Sequence, residues 1–135
     1  MTLQVGVKIF LKNTEGKYLL LKRNPAKYPT TKGVWDIVGG RINLGSKLID
    51  NLKREVKEET QLGIMTEPIL IHAQDIIPND EIYVVRLTYV GETTGEPKLD
   101  IEENIEYRWL SLEEIRALGD LDIYVAEILE RNLLE

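Results

Sequence analysis

Residues 47–60, KLIDNLKREVKEET, limit the fold more than any other segment, because they predict an amphipathic helix with acids on its apolar side. Each helical residue advances about 100° around the axis. With Glu55 at zero, Glu59 falls near ~40° and Glu58 near ~300°. The apolar residues, at about 20° to 120° on the same scale, are Leu48, Ile49, Leu52 and Val56. Three acids therefore share one arc, and Glu59 lies inside the apolar stripe.

Carboxylates in this arrangement need a cation, either a basic side chain or a metal ion, as a partner. Like charges three and four residues apart are mildly destabilising, and a buried carboxylate is costly unless it is paired or metal-bound. An ordinary solvated helix is the alternative, and it accounts well for Asp50, Lys53 and Lys57, which lie away from the arc. The chain has no Cys and one His, which excludes thiolate and two-histidine metal sites. Oxygen ligands alone indicate Mg²⁺ or Mn²⁺.

The absence of Cys and the single His also exclude most nucleophilic chemistry. Without Cys there is no disulfide scaffold and no cysteine nucleophile. A Ser-His-Asp triad would have to use His72, and no nucleophile-elbow sequence accompanies it. His72 lies in the apolar stretch 68–77, which predicts a packed histidine on a strand.

Length and charge limit the class of protein further. A chain of 135 residues with 43% apolar and 30% charged residues predicts one globular domain over residues 1–135. Its net charge of −6 disfavours nucleic acid as a partner. The N-terminal segment has no long apolar run, so we expect no signal peptide, no membrane span and a cytoplasmic location.

The charges are unevenly distributed along the chain. Residues 1–34 hold seven basic side chains, Lys32 among them, and one acid, whereas residues 92–114 hold eight acids and two bases. Solvated faces are one interpretation, and a cation site facing an anion site is the other.

Pattern and turn chemistry predict a mixed α/β or α+β sandwich. A hairpin is expected at 5–23 around the turn NTEG, with a polar loop at 24–33. Further strands are expected at 34–38, 68–77, 82–90 and 105–111. Ser46 is the expected N-cap of the acidic helix, Ser111 with Glu114 forms a capping box, and a last helix covers 122–134.

Gly39-Gly40 stands shortly before the acidic helix, and its spacing from the acids carries a motif. Gly40, the run Arg54-Glu55-Val56-Lys57-Glu58-Glu59-Thr60 and the aliphatic Leu62 stand in the register of the box of the Nudix hydrolases, the MutT-like family that this sequence resembles. The flanking segments LLLKR, GVWDIVGGRI and RWLSLEEI resemble the family as well. Two positions depart from the box: Ser46 replaces its first Glu, and Gln61 replaces its Gly.

The resemblance implies a fold and a reaction. The fold is an αβα sandwich with a mixed, curved sheet and the carboxylate helix on one face. The reaction is hydrolysis of a nucleoside diphosphate linked to another moiety, with Mg²⁺ or Mn²⁺ held by Glu55, Glu58, Glu59 and Gly40. Arg54 would orient the box acids, and Glu55 and Glu58 would also be catalytic.

Residues outside the box complete the implied site. Glu103-Asn104, with Trp109 six residues after Glu103, resembles a family pattern that adds a further metal ligand or general base, so Glu103 is assigned that catalytic role. Glu102 and Glu106 are the alternatives. Arg23, Gly39 and Gly40 are expected to bind substrate, whereas Arg41 is expected to face solvent.

The two departures raise structural questions. A serine hydroxyl can cap a helix, so Ser46 is expected to preserve the helix start. If Gln61 keeps a left-handed helix end, its side chain costs about 1–2 kcal/mol. The alternative is that Gly63 takes over the cap and the helix continues.

The substrate and the assembly stay open. A (deoxy)nucleoside triphosphate and ADP-ribose are equally compatible, the latter because Pro78 lies sixteen residues past the box, at a position resembling a marker of ADP-ribose hydrolases. A catalytically inactive nucleotide-sensing module on the same fold is the contrasting function. Family members are often dimers, so a homodimer is an open alternative.

Overall fold

The computed structural model describes residues 1–29 and 33–135. The predicted loop 24–33 is irregular where it is described, and its Lys32 lies outside the described residues. The strands are β1 (Thr2–Lys12), β2 (Tyr18–Arg23), β3 (Trp35–Asp36), β4 (Val38–Arg41), β5 (Ile69–Ile76), β6 (Ile82–Glu92) and β7 (Asn104–Leu110). The helices are α1 (Leu48–Thr60), α2 (Leu112–Ala117) and α3 (Ile123–Glu130).

Strand β1 is the centre of a mixed sheet. It pairs in parallel with β6 along its whole length and antiparallel with β4, from Gly6 opposite Arg41 to Ile9 opposite Val38. Strand β2 meets β1 at the predicted hairpin and pairs with β3 and β7, and β5 lies beyond β6. The parallel pairing of β1 with β6 brings residues about 80 positions apart onto one face.

Successive side chains of β1 and β2 point to opposite faces, so the sheet carries two hydrophobic layers. On one face, Val7, Ile9 and Leu11 pack against Leu52 and Val56 of α1. On the other, the core contains Phe10 and Leu20 with residues of α2 and α3. The predicted α+β sandwich with a mixed sheet and the carboxylate helix on one face is therefore confirmed.

The start of α1 was predicted wrongly. The helix begins at Leu48, its N-cap is Lys47 in an extended conformation, and no side chain caps it. Ser46 instead donates its backbone N–H to the carbonyl of Asn43, so it belongs to a turn before the helix. This turn places Ser46 one residue before the N-cap position, so its hydroxyl does not cap the helix. Leu48, expected in the apolar stripe, is 37% exposed for the same reason, since it lies in the first turn.

Three other local predictions have clear outcomes. Ser111 and Glu114 form the predicted capping box at α2. The last helix is shorter than predicted, because it runs from Ile123 to Glu130 with Asp122 as its N-cap. The predicted strand 34–38 is divided into β3 and β4 at Ile37.

Gln61 ends α1 in the left-handed conformation, with φ 61° and ψ 8°. Its backbone N–H bonds the carbonyl of Lys57, as a glycine in this place would. The alternative in which Gly63 caps a longer helix is therefore wrong. The residue keeps a conformation that its Cβ makes costly.

Within the part of the chain that the structure describes, no helix has both the length and the apolar character needed to cross a membrane.

Relieving the strain at position 61 should stabilise the fold. We expect Gln61→Gly to raise the free energy of unfolding by about 0.5–1 kcal/mol, because glycine adopts the left-handed conformation without strain. The gain is smaller than the strain itself, since glycine also gives the unfolded chain more entropy. Gln61→Ala is the control, since it removes the side chain but keeps the Cβ. Urea denaturation measures both variants, and an equal effect of the two would contradict the assignment of strain to the Cβ.

Candidate active site

The glycine pair is held against β1 at the edge of a cleft. Gly39 lies opposite Lys8, with φ 141°, and a Cβ on it would lie 2.1 Å from the carbonyl oxygen of Val7. A Cβ on Gly40 would lie 3.0 Å from the carboxylate atoms of Glu55. Only glycine at position 39 therefore lets β4 approach β1 so closely, whereas Gly40 leaves room for the carboxylate of Glu55.

The box acids of α1 lie at different depths. Glu59, half-buried, accepts a hydrogen bond from the backbone N–H of Gly39 (3.0 Å) and one from the side-chain amide of Asn104 (3.3 Å). Glu55 lies against Gly40 with 15% of its side chain exposed. Glu58 is 59% exposed.

Arg54 joins the two outer acids. Its Nη1 donates to Glu58 Oε2 at 2.8 Å and its Nη2 donates to Glu55 Oε1 at 2.9 Å. This is the arrangement that the sequence predicts for an orienting arginine, although the role itself stays a prediction.

A cleft of ≈ 440 Å³ opens beside the glycine pair. It brings together the predicted residues Arg23, Gly39, Gly40, Glu59 and Glu103. Arg41 is exposed as predicted, at the rim of the same cleft. Glu55, which lies against Gly40, and the exposed Glu58 are not among the described residues that line the cleft, so α1 supplies one acid, Glu59, to its wall.

Glu103 lies at the end of the turn before β7, and both its carboxylate oxygens are engaged. Tyr28 donates its hydroxyl to Oε2 at 2.7 Å, and Lys27 donates to Oε1. Burial raises the pKa of Glu103, but these two hydrogen bonds outweigh it, so the pKa lies below its ordinary value. The alternatives differ: Glu106 pairs with Arg108, and Glu102 is exposed in the turn.

The inner wall of the cleft is an ionic network centred on Asp36. Its carboxylate, almost fully buried, accepts hydrogen bonds from Lys8 (3.1 Å), Arg86 (3.1 Å) and Arg23. Asp122 binds the same two arginines, at 3.0 Å and 3.4 Å. Burial alone would raise the pKa of Asp36, but Lys8, Arg86 and Arg23 lower it well below its ordinary range.

Most of this network was missing from the sequence-based site. Arg23 was predicted to bind phosphate, yet its guanidinium is committed to Asp36, Asp122 and the carbonyl of Gly33. The sequence did contain a sign of Asp36 and Arg86, since each is a charged residue inside an apolar strand segment. Asp36 stands between Trp35 and Ile37, and Arg86 stands within 82–90. His72, on β5 as predicted, is paired with Glu127 at 2.9 Å.

Burial raises the pKa of Glu59 to about 7, even though Lys8 and the hydrogen bonds from Gly39 and Asn104 favour its charged form. The repulsion from Glu55 adds to the rise. A carboxylate in this state gains from any additional cation within reach.

The donor chemistry of these residues fits a hard divalent cation. The acids offer oxygen ligands only, and burial makes the charge of Glu59 costly without a further cation. Among residues 1–29 and 33–135, no group of three carboxylate or imidazole side chains already surrounds a common point. Arg54 pairs with Glu55 and Glu58, and Lys27 pairs with Glu103. The shared metal site of these glutamates therefore stays a prediction.

Comparison with known proteins settles the family. A sequence model of the NUDIX domain matches residues 2–131. The chain belongs to the Nudix hydrolase family. The solved structure of a MutT protein from Methanosarcina mazei superimposes with a TM-score of 0.80 at 28% identity, covering 96% of this chain and 91% of that one. The resemblance drawn from the box is thereby confirmed.

Two curated relatives are similar over most of the chain. An RNA pyrophosphohydrolase from Bartonella clarridgeiae is 31% identical over 140 residues, covering 84% of this chain and 78% of that protein. An isopentenyl-diphosphate Delta-isomerase from Photorhabdus laumondii is 30% identical over 115 residues, covering 82% of this Nudix chain. The matched region is 63% of the length of that isomerase.

Removing the charge of Asp36 should destabilise the fold strongly. We expect Asp36→Asn to lower the free energy of unfolding by about 3–5 kcal/mol, because Lys8 loses its carboxylate partner and both arginines are left with Asp122 alone. The loss applies at pH 7 and shrinks as the pH falls below about 4, where the unfolded wild-type aspartate becomes protonated and the contribution of its lowered pKa is lost. Chemical denaturation at pH 7 and pH 3 tests this, with the exposed Asp80→Asn as control. A loss below 1 kcal/mol at pH 7 would contradict it.

Glu59 should have the opposite pH dependence. Its pKa is about 7 in the folded protein and about 4.3 in an unfolded chain, so ionisation weakens the fold as the pH rises between these values. In EDTA, we expect Glu59→Gln to be more stable than the wild type at pH 8 by on the order of 2 kcal/mol relative to their difference at pH 5. A difference that does not change with pH would show that Glu59 titrates normally.

Proposed function

We propose that this Nudix hydrolase is a Mg²⁺- or Mn²⁺-dependent pyrophosphohydrolase of nucleoside diphosphate derivatives. One observation carries the proposal: a single cleft combines Glu59 and Glu103 with the glycine pair and with basic side chains. Those basic residues are Lys8, Arg23, Arg41 and Arg86. Acids suit a divalent cation. Lys8, Arg23 and Arg86 are held by Asp36, but the four bases outnumber Asp36 and Asp122, and the remaining positive charge suits the phosphates that the cation would accompany.

Glu55, Glu58, Glu59, Glu103 and the carbonyl of Gly40 are the proposed ligands. A bound Mg²⁺ or Mn²⁺ would offset phosphate charge and acidify the attacking water. Arg54 would keep Glu55 and Glu58 from turning away into solvent.

The proposed reaction forms a bond between a water oxygen and phosphorus while the bridging P–O bond breaks. Glu103 is the proposed general base, because it lines the cleft and a carboxylate is ionised at neutral pH even without a cationic partner. We propose that its oxygen becomes available when Lys27, which is half-exposed, moves to another anion. Lys27 contacts Glu103 at the cleft, so a substrate phosphate is the proposed anion.

The cleft offers a substrate both charged and apolar contacts. Asp36, Arg23 and Arg86 line it with charged groups, beside the apolar side chains of Ile37, Ile76 and Val84. The names of the two curated relatives share a diphosphate or pyrophosphate and differ in what is attached to it. A (deoxy)nucleoside triphosphate and ADP-ribose both remain proposed substrates.

Action on a small nucleotide rather than on nucleic acid, a cytoplasmic location, a single domain over residues 1–135 and a homodimer remain predictions. The negative net charge supports the first, since it weakens attraction to a polyanion.

A substrate panel tests the proposal. We expect Mg²⁺-dependent release of phosphate or nucleotide from one or more of the nucleoside triphosphates, ADP-ribose and diadenosine polyphosphates. An RNA with a 5′-triphosphate and isopentenyl diphosphate complete the panel as substrates expected to react slowly. Binding of a nucleotide by calorimetry without turnover of any compound would favour the sensing module instead.

The acids should be essential and separable from folding. We expect Glu58→Gln and Glu59→Gln each to lower kcat by at least about 100-fold, because each removes a proposed ligand. Asp50→Asn is the matched control, since Asp50 is exposed on the same helix. Circular dichroism checks the fold, and near-normal rates in both glutamine variants would refute the site.

A further inference from the structure

We propose that Asn51 is a positioning residue, which orients Arg54 and, through Arg54, the carboxylates of Glu55 and Glu58. The inference rests on the proposed function, because it assigns these two acids to the metal site. Neither the Nudix box nor the acid pattern singles out Asn51.

Asn51 is fully buried on α1, where an amide needs partners. Its Oδ1 accepts a hydrogen bond from the backbone N–H of Asn43 at 3.1 Å and another from Nη2 of Arg54 at 3.2 Å. Its Nδ2 faces the carbonyl of Arg41 at the longer distance of 3.5 Å. One side chain thus joins the segment that follows the glycine pair to the arginine that holds the acids.

Arg54 depends on this contact for its orientation. Its Nη2 is shared between Asn51 and Glu55, and its Nη1 binds Glu58. The buried Nε has no hydrogen-bond partner among the described residues. The two acids can move with the arginine. Within residues 1–29 and 33–135, the amide of Asn51 is the hydrogen-bond partner that ties the guanidinium to a group other than these acids.

Asn51 offers Arg54 a neutral partner. Ser46, which stands where the family has a glutamate, lies in the turn before α1 and carries no charge. Asn51 is neutral, so it fixes the guanidinium without neutralising it. The full positive charge of Arg54 then remains for Glu55 and Glu58, which would otherwise repel each other across one turn of the helix.

Three variants and one measurement besides activity test the proposal. Asn51→Leu keeps the size of the side chain and removes the acceptor, whereas Asn51→Asp keeps an acceptor oxygen. Thr60→Val is the control, because Thr60 is equally buried on α1 and hydrogen-bonded to Val56, but it does not contact Arg54. Binding of Mn²⁺ is measured by the electron paramagnetic resonance signal of the free ion, at concentrations where each variant is folded.

We expect Asn51→Leu to weaken Mn²⁺ binding by about 10–100-fold, as removal of a residue that orients metal ligands does. Asn51→Asp should lie closer to the wild type, and Thr60→Val should bind as the wild type does. In the background of Arg54→Gln, the effect of Asn51→Leu should disappear, because Asn51 then has nothing to position.

The outcomes separate this inference from the proposed function. If the wild type does not bind Mn²⁺, the proposed function fails together with its ligands. If the wild type binds Mn²⁺ and Asn51→Leu binds it equally well, the positioning role is overturned. Equal weakening by Thr60→Val, or an undiminished effect of Asn51→Leu beside Arg54→Gln, would overturn it as well. Should Asn51→Leu not fold, Asn51→Ser replaces it, because its hydroxyl oxygen is one bond closer to the backbone than Oδ1.

Discussion

The cleft depends on one buried carboxylate. Asp36 receives Lys8 from β1, Arg23 from β2 and Arg86 from β6, so a single anion holds three strands in a fixed relation. Asp122 adds the start of α3, and its backbone N–H bonds the carbonyl of Trp35 at 2.8 Å. Charges this deep are tolerated only when all of them are paired, so the parts of the wall must form together.

The acids of the proposed metal site are also paired, although they are less buried than Asp36. Each one is already supported by an N–H donor of the protein: Arg54 supports the two outer acids, Gly39 and Asn104 support Glu59, and Lys27 supports Glu103. These donors come from four separate segments of the chain. A net charge of −6 therefore describes two populations, the few acids held around the cleft and the many exposed to solvent.

The sequence predicted those features that depend on residues close together in the chain. The helical stripe with Glu59 inside it and the capping box at Ser111 depend on spacings of three and four residues, and both were found. The cap at Ser46 failed because the preceding turn, not the helix, decides where α1 begins. The ionic wall could not be derived, since its partners are 13 to 99 positions apart and meet only through the sheet. The role of Asn51 could not be predicted for the same reason, because its partner Asn43 lies in the loop before α1.

The pairing of β4, β1 and β6 also fixes the width of the cleft. Gly39 lies opposite Lys8, and Gly6 lies between Arg41 on one side and Arg86 on the other. Neighbouring strands are about 4.8 Å apart, so roughly 10 Å separates the glycine pair from the strand of Arg86. This distance is a property of backbone hydrogen bonding and not of side-chain packing. Substitutions can therefore change what the cleft recognises while the spacing of these strands stays the same.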